Sequence, residues 1–191
     1  MDENLAKIRH ERSKKDFPNL RLEEGEYVEF AFSRAKVVLM MIIVGMSFGV
    51  IVVLLAFLIA LLGQDMIDEM GKNFLFIILL ALLVAFVVMG LIAMTTYRGN
   101  KLYVTNKRVI QNVMNSLVSS SFNAIDLESV EDVSFRQDGL VQRMFGFGTL
   151  RLATVGEETT YTFKFSDISP EDLDAVSKLV SDAKERSKKD K

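Results

Sequence analysis

The 191-residue chain has no Cys, no Trp, a single His and only two Pro. Without Cys it can form no disulfide, no thiolate nucleophile and no Cys-ligated zinc or iron–sulfur centre. The one His, His10, lies in a charged N-terminal stretch and cannot build a multi-His metal site or a Ser–His triad within one chain. No excess of charge exists either: 23 basic and 25 acidic residues nearly cancel, so the overall balance carries no nucleic-acid signature. The more telling absences are local.

No charged residue occurs from Val37 to Gln64, and none from Asn73 to Tyr97. Inside these intervals lie two apolar runs, residues 37–62 and 74–95. As helices they reach about 39 and about 33 Å, against a hydrocarbon core of roughly 30 Å. Both read as membrane-spanning helices. A signal peptide would have an apolar core of about 7–15 residues near the N-terminus. Here 36 charge-rich residues come first, so the first run reads as an uncleaved span.

The connector, residues 63–73, is short, which makes the spans an antiparallel hairpin. It carries Asp65, Asp68 and Glu69 against Lys72 alone. Lys and Arg crowd the outer flanks instead: Arg34 and Lys36 before the hairpin, Arg98 and Lys101 after it. The excess of Lys and Arg on both flanks places both termini in the cytoplasm and the acidic loop outside. Within the spans no ionisable group marks a transport path. Gly45, Gly49, Ala56 and Ala60 do fall within about 60° on one helix face, and Ala81 and Ala85 supply small residues on the second helix. These six are the candidate helix-packing positions, either inside the hairpin or between copies of the chain.

After Gly99 the texture becomes strand-like. Short apolar runs recur, and Tyr161, Phe163 and Phe165 alternate with Thr162 and Lys164. Asn106-Lys107, Asn115-Ser116, Asp138-Gly139, Gly146, Gly148 and Gly156-Glu157 punctuate them. About six short strands predict an antiparallel sandwich or barrel. Upstream, Val28, Phe30 and Phe32 alternate with Glu29 and Ala31, which favours one more strand over an interfacial extension of the first span. The chain closes with one helix. Ser169 is its N-cap, Pro170 its first residue, and Leu173, Val176, Leu179, Val180 and Ala183 its apolar stripe, to about Arg186.

Three motifs carry a family resemblance: LEEGEYV (residues 22–28), LYVTNKRVI directly after the second span, and the run from Arg143 to Leu150, RMFGFGTL. Together they resemble the membrane-flanked bacterial PH domains, over roughly residues 20–185. The resemblance implies a two-helix transmembrane hairpin followed by an all-β PH-like split barrel capped by a C-terminal α-helix. It implies no reaction. The expected organisation is a cytoplasmic N-terminal segment (1–36), the transmembrane hairpin (37–95), a cytoplasmic PH-like domain (96–187) and a charged tail (188–191).

Between Glu69 and Asp126 no acidic residue occurs, so Arg98, Lys101, Lys107 and Arg108 stand unopposed in their own stretch of chain. They are the candidate contacts for anionic lipid headgroups. Asp126, Glu128, Glu131 and Asp132 do not have the spacing of a calcium loop. The G-x-G of Gly146 and Gly148 lacks the third Gly of a dinucleotide site. The expectation is therefore not an enzyme, and it needs no cofactor or metal and binds no nucleic acid. It is a multi-pass cell-membrane protein carrying an interaction or scaffold module. Its partners are membrane lipids and either further copies of itself or another membrane protein. The alternative is a sensor of anionic headgroups at the cytoplasmic leaflet.

Overall fold

The computed structural model describes residues 3–63, 69–114, 116–154 and 160–189. Asp65 and Asp68 of the connector, Asn115 and the Gly156-Glu157 turn lie outside the described residues. In chain order the elements begin with α1 (Glu3–Asp16), β1 (Val28–Ser33), α2 (Lys36–Leu62) and α3 (Glu69–Gly99). There follow β2 (Lys101–Thr105), β3 (Arg108–Met114), β4 (Ser120–Asp126) and a 3₁₀ turn (Leu127–Ser129). The last are β5 (Val130–Arg136), α4 (Leu140–Phe145), β6 (Gly148–Thr154), β7 (Thr160–Ser166) and α5 (Pro170–Lys189). They form two compact units, Lys36–Tyr97 and Met1–Ala35 with Arg98–Lys191.

The helical unit is α2 with α3. Both are long and apolar enough to cross a membrane. α3 begins at Glu69 and ends at Gly99, beyond the apolar run at both ends, because helix limits follow backbone hydrogen bonding rather than hydropathy. The helices touch antiparallel: Met46 meets Gly90, Gly49 meets Phe86, and the Phe57 and Phe76 rings lie 5.0 Å apart. A Cβ on Gly49 would stand 2.5 Å from the Phe86 ring, so this close approach requires glycine. Of the other small positions, Ala56 and Ala60 are half-buried, whereas Gly45, Ala81 and Ala85 are exposed. Gly90, absent from the sequence-based set, is buried against Met46.

The second unit departs from the expected barrel. Its strands form two separate antiparallel sheets, β1-β2-β3-β4 and β5-β6-β7, and these do not close. The chain passes from β4 to β5 through the 3₁₀ turn and not through a hairpin, so strand pairing is not propagated from one sheet to the next. Links between them include the Gln111 side chain, which donates to the Thr162 carbonyl (2.9 Å), and an isolated bridge between Arg34 and Ser166. Leu102, Val104 and Val109 from one sheet, and Leu150, Leu152 and Phe163 from the other, share one core. α5 covers it with Val176, Val180 and Ala183. Ser169 caps α5 as its sequence predicts, with Oγ accepting from the Asp172 N–H (3.0 Å).

The strand expected at residues 28–32 exists as β1 and occupies the edge beside β2. The segment before it covers the outer face of that sheet. Leu20 packs with Tyr103 and Ile110, and Phe17 meets Tyr103 edge-on. α1, for which the charged N-terminal sequence gives no amphipathic signal, is fixed by two buried polar residues. Ser13 Oγ accepts from the Val28 N–H (3.0 Å), and His10 Nδ1 contacts the Glu26 carbonyl.

Candidate interaction surface

The second unit has two ends, set by strand direction. At one end Ser33 pairs with Lys101, Arg34 bridges Ser166 and the Ala35 N–H donates to the Phe165 carbonyl (2.6 Å). The chain leaves this unit at Ala35 and returns at Arg98, so both junctions lie at this rim. At the other end is the β2–β3 turn, about 13 Å along the strand.

Strand direction therefore divides the four candidate cations. Arg98 and Lys101 are exposed at the junction rim; Lys107 and Arg108 lie at the far end. The far pair is also opposed, contrary to the expectation from local sequence, because the acids come from upstream. Arg108 forks onto Glu26, Nε to Oε1 and Nη2 to Oε2, both 2.9 Å. Lys107 Nζ lies 3.4 Å from Glu23. Glu26 is 0% exposed. Its carboxylate also accepts from Thr105 Oγ1 (2.8 Å) and from the Glu23 N–H (2.8 Å). Burial by itself pushes this carboxyl up. The hydrogen bonds from Arg108, Glu23 and Thr105 and the Arg108 charge outweigh it, leaving Glu26 below its ordinary value. The same bond raises Arg108. Two of the three motifs of the sequence analysis, LEEGE and TNKR, thus meet in one buried clamp. The only sequence signal for it is an acid after a turn glycine and an arginine after a Thr-Asn turn.

Beside the clamp opens a groove of about 490 Å³, lined by Glu23, Lys107, Arg108, Asp126, Glu128 and Arg186. Its charges are mixed. Among the described residues no three His, Asp or Glu side chains converge as a metal site. A second groove, about 480 Å³, runs beside Leu20 and Arg21 over Ile110 and the exposed Phe122. β4, at the edge of its sheet, borders it with Phe122 and Ala124.

The family model for the bacterial PH domain matches residues 28–184. The span takes in the helical unit, both sheets and most of α5. The chain belongs to the bacterial PH domain family. A crystal structure at 2.00 Å resolution, of a DUF1696 family protein with a pleckstrin-homology domain from Shewanella loihica PV-4, is similar to it at 14% identity. The likeness covers 44% of this chain and 70% of that one, with a TM-score of 0.33. No curated protein matches the chain. A PH-like domain is a module for protein or lipid interaction, typically without enzymatic activity.

The third motif of this bacterial PH domain, RMFGFGTL, is mainly a helix end. Gly146 ends α4 in the left-handed conformation (φ 69°), and Gly148 lies at a register shift in β6. Arg143 is exposed on α4. The cation–π contacts found among the described residues belong to Arg9 over Tyr27 and Arg34 over Phe165. α4 itself is not foreseen from the sequence, although a run of large apolar residues between Asp138-Gly139 and Gly146 is its trace.

Proposed function

We propose that this bacterial PH domain protein is a membrane-anchored interaction module. In this reading α2 and α3 cross the membrane as a hairpin, both termini are cytoplasmic, and the two-sheet domain meets its ligands at the inner face. One observation carries the reading: only 6% and 11% of the most apolar stretches of the two long helices is buried, and large apolar side chains such as Phe48, Ile59 and Ile77 are exposed. Water does not tolerate that much contiguous apolar surface; a bilayer requires it. Exposed Gly45, Ala81 and Ala85 supply small-residue contacts for further copies of the chain. Topology is tested in intact cells with an impermeant maleimide. Asp65→Cys reacts from outside, whereas Glu185→Cys reacts only after permeabilisation; the reverse pattern overturns the orientation.

A second reading, recognition of anionic headgroups, is favoured by Arg98 and Lys101 at the junction rim. Native mass spectrometry of the full-length protein separates the two. A discrete oligomer supports self-association, and a monomer retaining anionic lipid supports headgroup recognition. Under headgroup recognition Lys101→Glu loses the retained lipid and Lys107→Glu, at the far end, keeps it.

A further inference from the structure

α4 inverts the usual pattern of a surface helix. Of its six residues, Leu140, Val141, Met144 and Phe145 are exposed, Leu140 at 79% and Met144 at 77%. Its hydrogen bonds to the neighbouring backbone are made by Gln142 instead. Gln142 Oε1 accepts from the Asp138 N–H (2.6 Å), and the Gln142 carbonyl accepts from the N–H of buried Phe147 (3.1 Å). Gly139 (φ 90°) and Gly146 (φ 69°) flank the helix in conformations that favour glycine, so the protrusion is built into the backbone. A folded surface of this kind marks an interaction site.

Its position follows from strand register. α4 joins the ends of β5 and β6 at which Arg136 pairs with Thr149 and Gly148 pairs with Ser166, the same Ser166 that bridges Arg34. The β3–β4 turn reaches the same rim, since Asn100 holds Met114 by two hydrogen bonds (3.0 and 3.3 Å). That turn presents Val118, 97% exposed, beside Leu117. Exposed cations intersperse these tips: Arg98, Lys101, Arg136 and Arg143. Acids near the rim include Asp138, paired with Arg136 at 2.7 Å, Asp167, and Glu171 and Asp172 in the first turn of α5. Apolar tips and exposed cations therefore share the rim that holds both chain junctions, Ala35 and Arg98.

From this juxtaposition we infer that α4 and the β3–β4 turn form a bilayer-contact surface, with Leu140, Met144 and Val118 entering the headgroup layer of an anionic leaflet and the rim cations pairing with its phosphates. Amphipathic elements of this kind seat about 5–10 Å into the interface, and their binding grows with anionic lipid. The inference rests on the membrane-anchored reading, which supplies the nearby leaflet through the covalent junctions at Ala35 and Arg98.

The absence of native Cys makes every introduced one a unique label. Full-length Met144→Cys, Val118→Cys, Glu128→Cys and Leu55→Cys proteins are labelled with bimane and reconstituted in phosphatidylcholine vesicles, with or without phosphatidylglycerol, carrying lipid-borne nitroxide quenchers. Labels at 144 and 118 lose most of their fluorescence, more so with phosphatidylglycerol and less at high salt. The label at 128, at the far end, keeps its fluorescence, and the label at 55 in α2 is quenched in both lipid mixtures. Quenching at 55 but not at 144 or 118 overturns the contact surface and leaves the anchor standing. No quenching at any site overturns both. Spin labels at 144 that broaden one another without lipid quenching assign the surface to a second copy of the chain and overturn the bilayer assignment.

Discussion

Arg108 and Glu26, 82 residues apart in sequence, meet in a two-pronged ion pair with both contacts at 2.9 Å. Between them the chain runs out through the whole helical unit and back. The pair therefore joins the segment before β1 to the β2–β3 turn. With Thr105 and the Glu23 N–H also bound, the buried carboxylate has its acceptor positions occupied. Breaking such a pair is costly because one charge is left buried without its partner.

Glu26→Gln is expected to destabilise the two-sheet unit by about 3 kcal/mol. Lys107→Ala, which removes an exposed pair, should cost less than about 1 kcal/mol. The double variant Glu26→Gln/Arg108→Met should cost less than the sum of its singles, since neither buried charge is then stranded. Thermal unfolding of the full-length protein in detergent measures all four. Equal losses for Glu26→Gln and Lys107→Ala would refute the clamp.

The clamp also sets an acid dependence. The carboxyl of folded Glu26 is held below its ordinary value near 4.5, so the unfolded chain takes up a proton first as pH falls. The stabilisation is complete above about 4.5 and is lost as pH falls through the lower, folded-state value. Melting temperatures from pH 7 to 3 should show the wild-type advantage over Glu26→Gln constant near neutrality and shrinking below about 4.5. An advantage independent of pH down to 3 would exclude this linkage.

In the helical unit, Gly49 and Gly45 should behave oppositely. Gly49→Leu drives a side chain into the Phe86 ring, an overpacking that costs about 1–3 kcal/mol. Nothing lies within 4 Å of a Cβ at Gly45, so Gly45→Leu is tolerated within the hairpin. Spin labels at Leu58→Cys and Ile77→Cys should move apart in the first variant and keep their spacing in the second. A change in oligomer mass in the Gly45 variant alone would place that face between copies.

The two long apolar helices, the run of short strands after them and the Ser169-capped final helix were all legible in the linear sequence. Each depends on a local pattern: an uncharged stretch of spanning length, residues of alternating polarity, a capping residue before an apolar stripe. The Val28–Phe32 alternation was readable as a strand for the same reason. Local pattern does not reveal which elements pair. Charge read along the chain left Lys107 and Arg108 unopposed, because their partners Glu23 and Glu26 lie beyond the helical unit in sequence. Strand direction, fixed only by the fold, then carried that pair to the end of the unit away from Arg98 and Lys101. The two sheets stay open because the turn at Leu127–Ser129 interrupts pairing, a backbone event without a composition signal. α4 was hidden for a related reason. Its apolar residues face outward, so periodicity, which assumes that apolar residues are buried, reads it as nothing. The sequence by itself determined the elements, since these follow from neighbours within a few residues. The tertiary structure decided which charges are neutralised and which surface is presented, since both depend on contacts between segments distant in sequence, Arg108 and Glu26 among them at 82 residues apart.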